Sequence, residues 1–145
     1  MKKTGFTLIE ILVVLAIVAM IISISVPAAK KARNKAAIVR TKSIIASVEA
    51  ALFMYQTDMG DYPGSTGSST ILIEALMGPV EDENWKGPYM RFKQSDIDEN
   101  KNIIDTWGEP ILYIYPQTEK NNVPFIIFSK GPDRKISTKD DIGNW

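Results

Sequence analysis

The chain has 145 residues, and its 17 Lys plus Arg are balanced by 17 Asp plus Glu. That length suits one small domain with an accessory segment, and a zero balance gives no global pull toward nucleic acid or acidic partners. Neither Cys nor His occurs, which excludes a thiol nucleophile, a Ser-His-Asp triad and thiolate or imidazole metal sites. The charges are unevenly spread. Lys2 and Lys3 open the chain, a second basic run covers Lys30 to Lys42, and most acidic residues follow Asp58, so the chain is basic at one end and mildly acidic at the other. With no disulfide available, the part beyond the long helix has a thin core and calls for another staple.

The first element is apolar. Every residue from Ile11 to Ile22 is apolar, and Ser23 and Ser25 are the only polar residues before Pro27. Phe6 to Val26 is 21 residues, which as a helix rises to roughly 30 Å, about the thickness of a bilayer's hydrocarbon core. A soluble amphipathic helix would show a polar face, and none is present. Glu10 is the anomaly, because a carboxylate inside lipid is costly and marks function by default. It can sit at the interface, take a proton, or pair with a cation, and the only local cation is a newly exposed α-amine.

The run Gly5-Phe6-Thr7-Leu8-Ile9-Glu10 behind a short basic leader resembles the processing motif of type IV prepilins. The resemblance implies cleavage after Gly5 by a prepilin peptidase, N-methylation of Phe6, and pairing of Glu10 with the terminal amine of a neighbouring subunit. Such pairing makes tolerable two charges that are costly alone in lipid. The rival is an ordinary signal peptide cut after Ala28, with Val26 and Ala28 at the small-residue positions. Its apolar core would be long against the usual ~7–15 residues, and a Glu at its head would have no purpose. The positive-inside rule alone would keep the C-terminal part in the cytoplasm, because the basic residues that follow the span outnumber those before it. The resemblance implies the opposite: a single-pass inner-membrane protein with its C-terminal domain on the periplasmic side.

Pro27 predicts a kink or local unwinding just past the apolar run. From Ala28 to about Tyr55 the positions Ala37, Thr41, Ile44 or Ile45, Val48, Leu52 and Tyr55 recur at three- and four-residue steps, an amphipathic helix whose stripe covers the rest of the chain. Lys30, Lys35 and Lys42 point elsewhere. They suit anionic lipid head groups, acidic residues of a neighbouring subunit, or simply water. No aromatic residues interleave with them, so nucleic-acid stacking is poorly supported. Gly60 caps the helix in the left-handed conformation.

Beyond it, residues 61 to 69 read as loop around the turn signature Asp61-Tyr62-Pro63-Gly64, and Thr70 to Met77 as a short helix. A polar loop runs to Asn102. Two strands follow, Ile111 to Tyr115 and Phe125 to Ser129, joined by a polar link from Pro116 to Val123. A small antiparallel sheet packed on the long helix is the expected result. Trp85, Tyr89 and Trp107 read as core aromatics.

The landmarks Gly60-Asp61-Tyr62-Pro63, Trp85-Lys86-Gly87-Pro88-Tyr89, Asp105-Thr106-Trp107-Gly108-Glu109-Pro110 and Ser129-Lys130-Gly131-Pro132-Asp133, with the closing Asp140-Asp141-Ile142-Gly143-Asn144-Trp145, are similar in matching order to the major pseudopilin family of type II secretion systems. The resemblance implies an α+β type IV pilin fold: leader 1–5, transmembrane and filament-core helix 6–27, amphipathic helix 28–59 and globular domain 60–145.

Asp133, Asp140 and Asp141 lie within nine residues, with Ser137 and Thr138 between them. Such carboxylates repel unless they are solvated or share a cation. Oxygen-only donors on a flexible loop suit Ca²⁺ better than Mg²⁺, though the spacing is not that of an EF-hand, and an ordinary solvated turn is the alternative. The resemblance implies structural calcium here, held by Asp133 and Asp140, by main-chain oxygens near Lys130 and Thr138, and by Asp141 as a further ligand. Arg134 and Lys135 add positive charge where many relatives have glycine or acidic residues.

The implied function is mechanical and not enzymatic. The resemblance implies a structural subunit that homopolymerises into a helical pseudopilus driving export of folded proteins across the outer membrane. Its implied partners are minor pseudopilins and an inner-membrane assembly platform, with no nucleic acid. The alternative is a pilin of a surface filament for adhesion, twitching or DNA uptake. A secreted enzyme is disfavoured: no Gly-rich phosphate loop and no paired catalytic acids in an apolar setting are found.

Overall fold

The computed structural model describes residue 5 and residues 7–78, 80–120 and 122–145. The chain forms two compact units, Met1–Ala36 and Ala37–Trp145. One helix, α1, runs Leu8–Met59. It starts where the sequence turns apolar and stops at Gly60, whose φ of 84° and amide bond to Gln56 O (2.9 Å) supply the expected left-handed cap. The local unwinding expected at Pro27 does not occur, and the helix is unbroken through it. Proline removes a single donor from the ladder, and the rungs on either side hold the backbone, as in transmembrane helices generally. Ser23 and Ser25 turn their hydroxyls back onto Met20 O (2.7 Å) and Ile21 O (2.8 Å), so both polar groups in the apolar run are satisfied within the helix.

In the second unit the predicted stripe is buried: Thr41, Ile45, Val48, Ala51 and Leu52 face the core, while Ala37, Ile44 and Tyr55 are half-buried. They meet Leu72 and Leu76 of α2 (Thr70–Met77), which has the predicted bounds. Complete burial of one such leucine stabilises by about 1.5–3 kcal/mol. The sheet has four antiparallel strands in the order β1 (Ser65–Thr66), β2 (Leu112–Tyr115), β3 (Ile126–Ser129), β4 (Ile142–Gly143). The β2–β3 pair sits where expected, with Leu112 opposite Phe128, Tyr113 opposite Ile127 and Ile114 opposite Ile126. The two-residue strands β1 and β4 are additions to the sequence expectation; two residues carry no alternation to read.

Pleating sends Tyr113 and Ile127, with Ile111 and Phe125 beside them, into the core on α1. Ile126 and Phe128 point to the other face yet are also buried, and the C-terminal Trp145 packs on Phe128 with ring centroids 5.7 Å apart. The large, fully buried aromatics are thus Tyr113 and Phe125. Tyr89 and Trp107 are half-buried at the core's edge, and Trp85 donates its indole N–H to Ala75 O of α2 (2.9 Å). Assigning all three to the core overstated their burial.

The hydroxyl of Tyr113 is buried without a hydrogen-bond partner among the described residues, and burial pushes its ionisation well above the ordinary phenol range. A buried group left unsatisfied costs its desolvation. Tyr113→Phe is therefore expected to leave stability unchanged or raise it by about 1 kcal/mol, read as a melting temperature no lower than that of the parent chain.

Candidate functional site

The N-terminal site centres on Glu10. Thr7 precedes α1, and its carbonyl accepts the Ile11 N–H (3.4 Å). Its amide and hydroxyl both reach Glu10 Oε2, at 2.7 and 2.8 Å, while the Glu10 amide lies 3.3 Å from Thr7 Oγ1. This is a reciprocal capping box, in which the fourth residue returns the bond that the first one makes. The Thr-x-x-Glu spacing announces it, so the role of Thr7 was open to sequence reasoning and was missed. Gly5 is exposed; Phe6, the other half of the processing site and the proposed partner of Glu10, lies outside the described residues. From Leu8 to Val26 every side chain is exposed, Leu8 at 84% and Ile24 at 70%. By length and composition α1 is able to cross a membrane.

The C-terminal site is assembled by β3 and β4. Leaving β3, the chain turns at Gly131 and returns to β4 after Asp141. Thr138 Oγ1 lies among three carboxylates: Asp140 Oδ1 at 2.7 Å, Asp133 Oδ1 at 3.4 Å and Asp141 Oδ1 at 3.4 Å. The loop supplies further donors, from Lys135 N to Asp133 Oδ1 (2.8 Å), Asp133 N to Asp140 Oδ2 (3.1 Å) and Ser137 N to Asp141 Oδ2 (2.8 Å). The four predicted residues Asp133, Thr138, Asp140 and Asp141 are therefore brought together. Lys130 was expected to contribute its main-chain oxygen, and its side chain points elsewhere. Its ammonium lies 3.5 Å from Glu109, and Arg134 lies 3.8 Å from the same carboxylate while donating to Trp107 O (3.0 Å). Among the described residues none of the three aspartates has a Lys or Arg side-chain nitrogen within 4.0 Å, and no three acidic residues form a ready-made metal cluster. The donor chemistry fits a hard cation, and the added positive charge of Arg134 is spent on another loop.

Beneath this loop is a residue that the sequence motifs contained and sequence reasoning did not single out. Asp105, 5% exposed, accepts the amides of Trp107 and Glu109 (both 2.9 Å) and the Ser129 hydroxyl (2.5 Å), and Ser129 Oγ in turn accepts Gly131 N–H (3.0 Å). The carboxylate thus ties the 105–110 turn to the end of β3. Asn144 closes the chain: its side chain accepts Ile127 N–H (3.1 Å) and donates to Phe125 O (3.1 Å).

Three carboxylates are held below their ordinary range by hydrogen bonds to the charged form: Asp140 chiefly by the Thr138 hydroxyl, Asp61 chiefly by the Tyr115 hydroxyl, and Asp98 chiefly by the Asn102 amide. A depressed folded value gives stability that is present above the unfolded value of about 3.9 and is lost as pH falls through the folded value. The melting temperature is therefore expected to hold from neutrality to about pH 5 and to drop below about pH 4. A flat profile into strong acid would show that these bonds contribute nothing.

A processing motif, a capped apolar helix and a small antiparallel sheet closed by an aspartate loop define the class of type IV pilin-like subunits. The Prokaryotic N-terminal methylation motif matches residues 1–26, which sets aside the ordinary signal peptide, and the family described as Type II secretion system (T2SS), protein G matches residues 29–145. The chain belongs to that protein G family. The type II secretion system core protein G of Pseudomonas aeruginosa is 33% identical over 148 residues, covering 99% of this chain and 96% of that one. The protein of the same description from Escherichia coli is 32% identical, covering 99% and 92%. The crystal structure of the major pseudopilin from the type 2 secretion system of enterohaemorrhagic Escherichia coli superposes with a TM-score of 0.50 at 28% identity, over 79% of this chain and 87% of that chain. These likenesses place the chain with the major pseudopilins and do not favour a surface pilin.

Proposed function

We propose that the chain enters the inner membrane as a single-pass precursor, is cut after Gly5 by a prepilin peptidase and methylated on Phe6, and then polymerises into a pseudopilus that moves folded proteins outward. The domain unit 37–145 lies on the periplasmic side in this reading. The carrying observation is the apolar surface of residues 8–26, exposed all round. Lipid covers such a surface before assembly, and other copies of the same helix cover it afterwards, giving head-to-tail contacts that do not close. Glu10 sets the register by meeting the amine of Phe6 on a neighbour, and minor pseudopilins and a membrane platform start and drive growth. No reaction is catalysed. Mass spectrometry of the chain purified from its own membranes is expected to find methylated Phe6 at the start, with filaments by electron microscopy on overproduction. A mature chain beginning at Ala29 and remaining monomeric overturns the proposal.

The same reading includes a structural Ca²⁺ held by Asp133, Asp140 and Asp141, with main-chain oxygens near Lys130 and Thr138. The support is the convergence of three unpaired carboxylates on the Thr138 hydroxyl. The ion supplies charge neutralisation to a domain without disulfides. Calcium at a hundred times its dissociation constant is expected to stabilise by about 2.7 kcal/mol, and chelator to remove that gain. Asp133→Ala is expected to lose the response to both. An identical melting temperature in calcium and chelator rules the ion out.

A further inference from the structure

We propose that Lys30, Lys31, Arg33 and Lys35 form a collar that binds anionic phospholipid head groups in the membrane-inserted subunit. The inference rests on the membrane reading above and goes beyond it. All four side chains belong to the first unit and are exposed. Among the described residues none has an acidic partner within 4.0 Å, and no Asp or Glu occurs between Glu10 and Glu49. Axial position identifies the ligand. The exposed apolar surface ends at Val26, and at ~1.5 Å per residue Lys30 stands roughly 6 Å beyond it and Lys35 roughly 13 Å beyond. The head-group layer extends roughly 5–7 Å beyond a hydrocarbon core of about 30 Å, so Lys30 and Lys31 stand at its outer edge, and Arg33 and Lys35, just above it, come within reach through long side chains that lean toward the helix N-terminus.

Angular spread favours lipid over a second copy. At about 100° per residue the four cations cover roughly 200° of the helix circumference. Contact with one neighbouring subunit calls for a single stripe at three- and four-residue steps, whereas head groups surround the helix. The phosphate chemistry also suits the residues, since Lys and Arg are the usual partners of anionic lipid surfaces. The collar gives a purpose to an imbalance that the positive-inside rule opposes. It holds the subunit at the outer surface of its membrane, so the anionic lipid fraction sets how readily a subunit is withdrawn into a filament.

The test uses the full chain reconstituted in mixed phosphatidylcholine–phosphatidylglycerol vesicles, with spin-labelled versions of each lipid compared by electron spin resonance. The motionally restricted fraction is expected to select phosphatidylglycerol over phosphatidylcholine by roughly fivefold, the scale of one cation at an anionic surface. Selectivity is expected to fall toward one in about 1 M salt, where screening acts within ~3 Å, and in the variant Lys30→Gln/Lys31→Gln/Arg33→Gln/Lys35→Gln. Equal restriction of both labels by the parent chain overturns the collar while leaving the membrane span intact. So does equal restriction accompanied by loss of self-association in the variant, which assigns the collar to a second copy. Absence of any restricted component overturns the span and the collar together.

Discussion

Glu10→Ala is expected to leave membrane insertion intact and to reduce filament yield by roughly tenfold or more, the scale on which removing one partner of a desolvated ion pair acts. Insertion survives because the apolar run from Ile11 onward is untouched and one costly ionisable group is gone from the lipid. In the proposed pairing, assembly fails because the amine of a neighbour loses its counter-charge. The capping box supplies a competing account, since Glu10 also accepts the amide and hydroxyl of Thr7. Glu10→Gln separates the two. A glutamine at the third helical position still closes a capping box but carries no charge. Assembly of the glutamine variant at parental yield would reduce Glu10 to a helix cap. Failure equal to that of the alanine variant establishes the charge. The measurement is filament mass sheared from cells overproducing each variant, with membrane fractionation confirming that all three proteins are inserted.

Residues that announce themselves by period or by cost were legible in the sequence. The apolar run declares itself by length alone, while the stripe through Thr41, Val48 and Leu52, the short helix at Thr70–Met77 and the β2–β3 pair bury apolar surface at a fixed repeat, and repeats survive without a structure. Glu10 was legible because a carboxylate in an apolar run has few physical options. What escaped was long-range. Asp105 looks like one more loop aspartate until Ser129, 24 residues away, donates to it. The strands β1 and β4 exist because β2 and β3 present free edges, and their own two residues say nothing. At Pro27 the helix continues without unwinding, since a proline takes only one rung from the ladder. The loop carrying Asp133, Asp140 and Asp141 was picked out by its charge; the pairing of Lys130 and Arg134 with Glu109 was not, since that acid lies in another loop.

The return of the 131–141 loop depends on a backbone approach that only glycine allows, and Gly131→Ala is accordingly expected to cost about 2–5 kcal/mol. Two effects add. Gly131 has φ 67°, a left-handed conformation that disfavours a side chain by about 1–2 kcal/mol. A Cβ there would also stand 2.1 Å from Asp140 O, and because the obstacle is backbone it cannot swing aside. Overpacking of this kind costs typically 1–3 kcal/mol. Displacing Asp140 also disturbs its bond from Asp133 N and the carboxylates around Thr138, so any stabilisation by the proposed calcium is expected to weaken along with stability. Gly108→Ala is the control. Gly108 has φ 79°, but nothing lies within 4 Å of its added Cβ, so it bears the backbone cost alone. At about 4–8 °C per kcal/mol for a domain of this size, thermal melts of the two variants should stand well apart, with Gly131→Ala the lower. Equal melting temperatures would mean that the loop yields freely at Asp140, and the close approach would then have no part in holding the aspartates together.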